Sequence, residues 1–367
     1  MRVPEWLVTK ASAHRHLIAA TATVLVVAAL PLTLTSFWLQ TGLFAMAAAI
    51  GAIGLTLLVG VAGQLSLGHA FFIAVGAYGY AYLAGDQTAV GVGVARGLGW
   101  PPLAAILATV ALAGLVGALI SPISGRLRGI YLGIATLGLV FVGLHLLKNV
   151  DVVQPVSGGF NGRAVTPFSL FGVTADSLQK LWYLGLLTVV LAYWVAHNIK
   201  RHRPGRAMEA IRDGETIAAV MGVRVRPTKA AVFALSSMYA GLAGAILALT
   251  YRYIVPESFG FAYSIDFLAM VVVGGLGSIG GAVLGAGFVT ALPLALNHFA
   301  DVIPLVEPVG AAGFDAATTA RVLYGIAMVA ALMFLPDGLA GIRLHLRRRP
   351  PHQSVRQASG RHVRSTA

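Results

Sequence analysis

Two long segments of this chain contain no charged side chain. None of the four charged residue types occurs from residue 16 to residue 85, and a second such stretch runs from residue 267 to residue 300. Over the whole chain 11% of residues are charged, whereas a soluble globular protein carries about 25%. A charge at the centre of a bilayer costs roughly 2.5–3.5 kcal/mol on insertion scales. Runs of this length therefore indicate a chain that is solvated by lipid.

Apolar runs long enough to cross a bilayer recur along the chain. A hydrocarbon core about 30 Å thick needs about 20 apolar helical residues. We predict an all-α, polytopic transmembrane bundle of eight to ten spans, in which Gly-rich points break some of the helices. The predicted spans are residues 17–35, 39–60, 65–84, 103–120, 129–147, 181–199, 230–251, 267–277, 280–296 and 322–335.

Basic residues fall on one side of this topology. In membrane proteins Lys and Arg collect in the cytoplasmic segments. If the amino terminus is cytoplasmic and the chain crosses the membrane ten times, residues 200–229 and the carboxyl tail are also cytoplasmic. The loop holds eight basic and three acidic residues, and the tail 343–367 holds seven arginines and no acid. We therefore interpret the formal net charge of +13 as anchoring against anionic lipid rather than as nucleic-acid binding. Both termini are expected to be cytoplasmic.

The topology divides the chain into three parts. Residues 1–16 form a cytoplasmic leader, and residues 17–342 form the transmembrane domain with its inner loop. Residues 343–367 form a basic tail that we expect to be disordered, because it is polar and rich in Arg. A cleaved signal peptide is the alternative for the first span. No A-x-A site followed by a polar segment occurs, which favours an uncleaved helix.

The inner loop contains an amphipathic segment from residue 206 to residue 222. Apolar and charged side chains recur at helical spacing, and Gly214 indicates a break into two short helices. Such helices either lie on the membrane surface or dock into a groove of a soluble partner. Acidic side chains face anionic headgroups unfavourably, which favours the partner. The apolar residues of this segment are Met208, Ile211, Ile217, Val220 and Met221.

A short polar motif joins the second and third predicted spans. Gln64, Ser66 and His69 lie inside the first charge-free region. They could cap helix ends and bond to neighbouring backbone, which helix breaks in a membrane require. Alternatively, they line a translocation pathway at a broken helix. A proton relay or metal site at His69 is a weaker hypothesis, since no second His or carboxylate completes it. We predict that all three residues belong to the pathway.

A Gly-rich motif joins the eighth and ninth predicted spans. It contains a G-x-G-x-x-G string from Gly275 to Gly280. A dinucleotide site is excluded, because no βαβ pattern and no ribose-binding acid about 20 residues further on accompany the string. The motif indicates a tight hairpin between closely packed helices on the inner side. Its predicted pathway residues are Gly274, Gly275, Gly277 and Ser278.

The chain carries no pattern for an energy source or for catalysis. A Walker A loop needs Gly before Lys, but the five lysines follow Thr, Leu, Gln, Ile and Thr. Paired intramembrane carboxylates, the H-E-x-x-H and G-x-S-x-G motifs and cysteine are all absent from the sequence. We therefore predict no catalytic residue, no metal and no cofactor, and a transporter whose energy comes from another subunit through the inner loop. The predicted coupling residues are Arg206, Glu209, Arg212, Asp213, Glu215, Ala218 and Gly222.

An ordered set of motifs carries a family resemblance over residues 40–342. The chain contains GQLSLGHA (63–70), GIYLGIATL (129–137), GGFNG (158–162), GRAMEAIRD (205–213), AAVMG (218–222), AGLAGA (240–245), the hairpin 274–281 and FLPDGL (334–339). With these motifs it resembles the inner-membrane permease subunits of bacterial branched-chain amino acid ABC transporters. The leader and the Arg-rich tail lie outside the resemblance.

The resemblance implies a multi-component importer in the bacterial cytoplasmic membrane. An external binding protein would deliver the substrate, and a second, homologous permease would complete the pathway. Two ATP-binding-cassette ATPases would bind the inner loop, with ATP used by those subunits only. Permeases for urea and short-chain amides are closely similar, so they are one alternative. A self-contained secondary transporter is the other.

Overall fold

The structure is a computed structural model that describes residues 21–86, 97–170 and 173–298, together with single positions between 322 and 341. The predicted leader, the basic tail and most of the predicted tenth span lie outside the described residues. The described chain is built from helices, with only two short pairs of strands.

The helices follow the predicted apolar runs. Their bounds are α1 Thr21–Leu32, α2 Ser36–Leu55, α3 His69–Leu83, α4 Pro102–Arg126, α5 Ile130–Asn149, α6 Gln154–Ser157, α7 Leu178–Arg201, α8 Arg203–Asp213, α9 Glu215–Val220, α10 Val225–Tyr251, α11 Phe261–Gly274 and α12 Ile279–His298. Five stretches of the described residues are long and apolar enough to cross a membrane: Ser36–Val61, Pro102–Arg126, Ile130–Asn149, Leu178–Arg201 and Val225–Tyr251. The prediction of a helical polytopic membrane protein is confirmed.

The third, seventh and eighth predicted spans begin four or more residues from the starts of their helices. The third was placed from residue 65, but α3 begins at His69, because an irregular turn with Gly63 in the left-handed region precedes it. The seventh was placed from residue 230, but α10 begins at Val225, and the eighth was placed from residue 267, but α11 begins at Phe261. In these cases apolar composition marks the lipid-embedded part and says little about the residue at which the helix begins.

Helices α2 and α10 form the centre of the bundle. In their most apolar windows 83% and 78% of residues are buried, compared with 33% for α4, 28% for α5 and 22% for α7. The last three helices therefore turn broad apolar faces outward, as a chain in lipid does. Buried residues of α2, α3, α10 and α11 form one continuous core together with residues of α4, α7 and α12.

The end of the bundle away from residues 200–229, which the predicted orientation places outside, is closed by short strands and loops. Strand β1 (Arg163–Ala164) pairs antiparallel with β4 (Tyr253–Ile254), and β2 (Ser169–Leu170) pairs with β3 (Val173–Thr174). The Lys148 ammonium lies 2.5 Å from the Glu257 carboxylate, and its hydrogen bond holds the pKa of Glu257 below the ordinary value. These contacts tie the end of α5 to the segment before α11.

Small residues let α3 and α10 approach closely. Gly76 lies against the backbone of Gly241, and Gly244 lies against the carbonyl of Ile73. A Cβ added at Gly76 or Gly244 would fall less than 3.0 Å from those backbone atoms. Lipid tails give no hydrophobic gain for helix association, so packing of this kind is what joins helices in a membrane.

We expect Gly244→Ala to separate α3 from α10 and to lower the free energy of unfolding by about 1–3 kcal/mol, as overpacking does. The matched control is Gly138→Ala on α5, because a Cβ there meets no atom within 4 Å. The control should be neutral or slightly stabilising, since Ala favours helices. Thermal unfolding of the purified chain in detergent measures both, and equal melting temperatures would contradict this role of Gly244.

Candidate functional site: the inner end of the bundle

The amphipathic loop forms two short helices, α8 and α9, on either side of Gly214. We call the end of the bundle that carries them the inner end, after its predicted orientation. Pro204 lies in the first turn of α8, where its missing N–H costs no hydrogen bond. Gly214 has an extended backbone that ends α8 and starts α9. The loop therefore has the helix–break–helix form that its sequence predicts.

The apolar residues of this loop do not form one surface. Met208 and Ile211 are each 4% exposed and face the chain itself. Ile217, Val220 and Met221 are 70%, 83% and 79% exposed. The interpretation of all five as one docking face is therefore wrong for the α8 pair, because α8 packs back against α7 and α10. We call the exposed group of Ile217, Val220 and Met221 the α9 knob.

Arg212 connects α8 to the first hairpin, which we define as residues 60–69. Its Nη1 donates a hydrogen bond to the Gly60 carbonyl at 2.9 Å, and its aliphatic stem lies against Gly63. Gly60 belongs to a π-helical turn, Thr56–Val61, at the end of α2. Such turns are rare, and many of them lie at functional sites.

Lys200 makes the equivalent contact with the second hairpin, which we define as residues 274–281. Its Nζ, in the last turn of α7, donates to the Gly277 carbonyl at 2.5 Å. Gly277 has a φ of 80°, a conformation that favours glycine. A Cβ on Gly60 would fall less than 3.0 Å from backbone atoms of Gly277, so the two hairpins touch through their main chains.

Glu215 is the centre of an ion-pair group. Its carboxylate lies 2.8 Å from Arg128, in the connection between α4 and α5, and 3.1 Å from Lys229 in α10. Lys229 is only 3% exposed. A buried ammonium is strongly destabilising without a partner, so Glu215 fixes α9 against α10.

The polar residues of the first hairpin are mostly bonded within the chain. The Ser66 hydroxyl accepts a hydrogen bond from the Gly68 N–H at 3.4 Å, and His69 Nε2 lies 3.0 Å from the Gly51 carbonyl. Gln64 Nε2 donates to the Lys229 carbonyl at 3.4 Å. All three side chains are buried. The residues that the structure describes contain no group of three His, Cys, Asp or Glu that could hold a metal ion.

The predicted residues of the second hairpin shape its turn. Gly274 packs against the backbone of Gly281, and Gly275 has a φ of 104°. The Ser278 hydroxyl accepts a hydrogen bond from the Gly281 N–H at 3.1 Å, in the first turn of α12. These residues therefore bring α11 and α12 together at the turn that touches Gly60.

The predicted coupling residues occupy different surroundings. Glu209 and Glu215 are partly buried, Ala218 is buried, and Gly222 follows α9 with a φ of 84°. Exposed members of the set are Arg206, Arg212 and Asp213. Sequence reasoning missed Arg128, Lys200 and Lys229, which it counted only as inner-side charge. Their positions at the ends of apolar runs could have indicated that these three residues contact the inner end of the bundle.

A cavity of about 230 Å³ lies beside the ion-pair group. The first hairpin, the α4–α5 connection, the α8–α9 junction and the start of α10 contribute its walls. The lining residues are Ala62, Gly63, Gln64, Leu127, Arg128, Gly129, Leu132, Ile211, Arg212, Gly214, Glu215, Thr216 and Lys229.

Residues 37–332 match the family described as "Branched-chain amino acid transport system / permease component". No solved structure matches the chain. The sequence is 34% identical over 259 residues to the high-affinity branched-chain amino acid transport system permease protein LivM of Escherichia coli K12. That alignment covers 64% of this chain and 57% of LivM, so the chain spans less than two thirds of that relative.

Two further relatives widen the comparison. The high-affinity branched-chain amino acid transport system permease protein BraD of Pseudomonas aeruginosa PAO1 is 26% identical over 301 residues, covering 80% of this chain and 91% of BraD. The ribose import permease protein RbsC of Escherichia coli K12 is 30% identical over 187 residues, covering 49% of this chain and 54% of RbsC.

We expect Glu215→Gln to lower the free energy of unfolding by about 3 kcal/mol or more, because it leaves the buried Lys229 ammonium without its carboxylate. The matched control is Asp213→Asn, which removes a 3.4 Å ion pair with Arg212 in which both side chains are exposed. It should change stability by less than about 1 kcal/mol. Thermal unfolding in detergent compares the two, and equal losses would contradict a special role for Glu215.

Proposed function

This chain belongs to the family of permease components of branched-chain amino acid transport systems, and we propose that it is the membrane-spanning subunit of an importer driven by separate ATP-binding-cassette ATPases. Its cargo would be Leu, Ile, Val or similar apolar amino acids. An external binding protein would supply the cargo, and a second, homologous permease would complete the pathway. The chain itself would catalyse no reaction.

The observation that carries this proposal is the pair of cation contacts at the inner end. Arg212 at the end of α8 and Lys200 at the end of α7 each hold a hairpin carbonyl, and the two hairpins touch at Gly60 and Gly277. A shift of α7 and α8 would therefore act on both hairpins without intermediate elements. Such a direct mechanical connection suits a permease whose movement is driven from the cytosol.

The α9 knob supports an ATPase as the cytosolic partner. An apolar group of this exposure on a polar, charged loop marks a surface that is covered in the working state. The alternative is a helix resting on the membrane. The ion pairs of Glu215 to Arg128 and Lys229 turn the charged side of α9 toward the chain's own inner end, which leaves the knob on the side away from it. We therefore propose that the knob inserts into a groove of the ATPase.

We propose that the touching hairpins form the inner constriction of this subunit. Gly275 and Gly277 would let the second hairpin pass close to Gly60 in the closed state. The satisfied hydrogen bonds of Ser66 and His69 support structural roles for these two residues within the first hairpin. The inner face would be cytoplasmic, with both termini on that side of a bacterial cytoplasmic membrane.

The cargo has a second candidate class. A urea or short-chain amide permease would share the coupling loop and the hairpins, since we assign these elements to coupling and closure rather than to the choice of cargo. The relative named as a ribose import permease shows that similarity of this degree extends to proteins named for other cargo. Ligand binding to the cognate external binding protein separates these classes, and we expect apolar amino acids to bind and urea not to bind.

We expect Val220→Asp to abolish stable binding of the ATPase, because it places a charge at the centre of the α9 knob. The matched control is Val152→Asp at the opposite end of the bundle, where the side chain is 85% exposed. Co-purification of the ATPase with each variant in detergent measures the effect. At least a tenfold loss for Val220→Asp alone is expected, and full retention would contradict the docking surface.

We expect Arg212→Ala to uncouple ATP hydrolysis from transport, because the first hairpin then loses its contact with α8. In proteoliposomes that contain the reconstituted transporter, amino acid uptake per ATP hydrolysed should fall about tenfold. Arg203→Ala is the matched control, since Arg203 is exposed in the first turn of the same helix. Arg212→Lys should recover part of the coupling. Uptake per ATP that is unchanged in Arg212→Ala would refute this route.

A further inference from the structure

An aromatic patch lies at the end of the bundle opposite the α9 knob. Phe160, in the short helical turn Gly159–Asn161, is 63% exposed. Tyr253 is 49% exposed, and its hydroxyl donates a hydrogen bond to the Asn161 carbonyl. The Lys148 ammonium lies 5.6 Å from the centroid of the Phe160 ring and is paired with Glu257. We define the outer patch as Phe160, Tyr253, Lys148 and Glu257.

The turn that carries the exposed phenyl ring has a closely defined backbone. Gly158, Gly159 and Gly162 have φ angles of 74°, 62° and 73°, which favour glycine. The Ser157 hydroxyl donates a hydrogen bond to the Leu147 carbonyl at 2.6 Å and accepts one from the Gly159 N–H at 3.0 Å. A surface that is already ordered loses little conformational entropy when a partner binds, which favours affinity.

The ion pair in the outer patch shows that this surface faces water. The Glu257 side chain is 53% exposed and the Lys148 side chain 23% exposed. A charged group with that exposure would be costly in hydrocarbon. The aromatic residues that collect where a membrane meets water are Trp and Tyr rather than Phe. A phenyl ring held beside an exposed carboxylate is therefore placed for contact with a protein, since aromatic side chains are enriched in protein interfaces.

The charge that the outer patch presents is negative. Of the ion pair, the carboxylate is the more exposed member, and the ammonium is largely covered. Asp151, two residues after α5, adds a second exposed carboxylate close to Lys148 in the chain. Charged groups across an interface are complementary in sign. The fitting partner is thus a protein with an apolar pocket for the phenyl ring and a basic side chain beside that pocket.

The outer patch is attached to three helices. The Ser157 hydrogen bond joins its turn to α5, and Tyr253 follows the end of α10. Arg163 Nη1 donates to the Val156 carbonyl at 2.8 Å, and its guanidinium lies 5.8 Å from the centroid of the Tyr82 ring in α3. A protein bound here would contact a unit fixed to the bundle rather than a separate loop.

We propose that the outer patch is the surface on which the external binding protein docks. The Phe160 ring would enter an apolar pocket of that protein, and Glu257 would pair with a basic side chain at the rim of the pocket. This inference rests on the proposed function and assigns to one of its partners a surface of this chain. Cover by lipid, or by another part of the transporter, is the alternative that the first experiment separates.

Accessibility is tested first, in the assembled transporter in lipid nanodiscs. The sequence contains no cysteine, so Phe160→Cys gives this subunit a single thiol. A charged, water-soluble maleimide should label it, and excess cognate binding protein should slow the labelling at least tenfold. Arg203→Cys, exposed in α8 at the inner end, is the control whose labelling should not change. Failure of the Phe160→Cys thiol to react before the binding protein is added would show other cover and overturn the proposal, as would unslowed labelling.

Affinity is tested next, by biolayer interferometry of the binding protein on the same nanodiscs. Phe160→Ala should weaken binding at least tenfold, and Phe160→Leu should recover part of the loss. Leu103→Ala is the matched control, because Leu103 is 47% exposed at the start of α4, on the same side in the predicted topology. Wild-type affinity in Phe160→Ala would overturn the docking surface alone. A wild-type transporter that binds no external protein would contradict the proposed function, and this inference with it.

Discussion

Direct contact between glycine backbones is the interaction on which this bundle depends. Lipid provides no hydrophobic gain for bringing apolar helices together, so close main-chain packing has to supply the attraction. Within the core, Gly76 and Gly244 let α3 lie against α10. At the inner end, Gly60 and Gly277 let the two hairpins meet. Close glycine packing therefore joins the helices of the core and also joins the two hairpins that are proposed to move.

Charged side chains at the inner end convert these contacts into a connected unit. Arg212 and Lys200 bind hairpin carbonyls, while Glu215 joins the start of α9 to α10. Two of these three side chains begin or end helices that face the cytosol in the proposed orientation. Their placement explains why the basic residues of the loop are more than membrane anchors. Each is a contact between a segment proposed to move and the membrane-embedded core.

The sequence allowed the helical class and the approximate spans to be predicted, because charges cannot be placed cheaply in lipid. The sequence also predicted the helix break at Gly214 and the two glycine-rich hairpins. The division of the loop's apolar residues could not be read from periodicity, since Met208 and Val220 fit one helical pattern equally well. Only tertiary packing buries the first and exposes the second. The partner of Lys200 is a main-chain carbonyl, which leaves no side-chain signature in the sequence. The partner of Lys229 is Glu215, and helical spacing within one segment does not predict an ion pair between α9 and α10.

The acceptors of Arg212 and Lys200 are main-chain carbonyls, which every amino acid carries. Substitution of hairpin side chains other than the glycines therefore leaves both acceptors in place. These two hydrogen bonds therefore tolerate substitutions at other hairpin positions, whereas the close contact of the hairpins restricts substitutions at Gly60 and Gly277. Related permeases that evolve to carry a different cargo could thus change the other hairpin side chains and still keep the contacts of Arg212 and Lys200 with the hairpins.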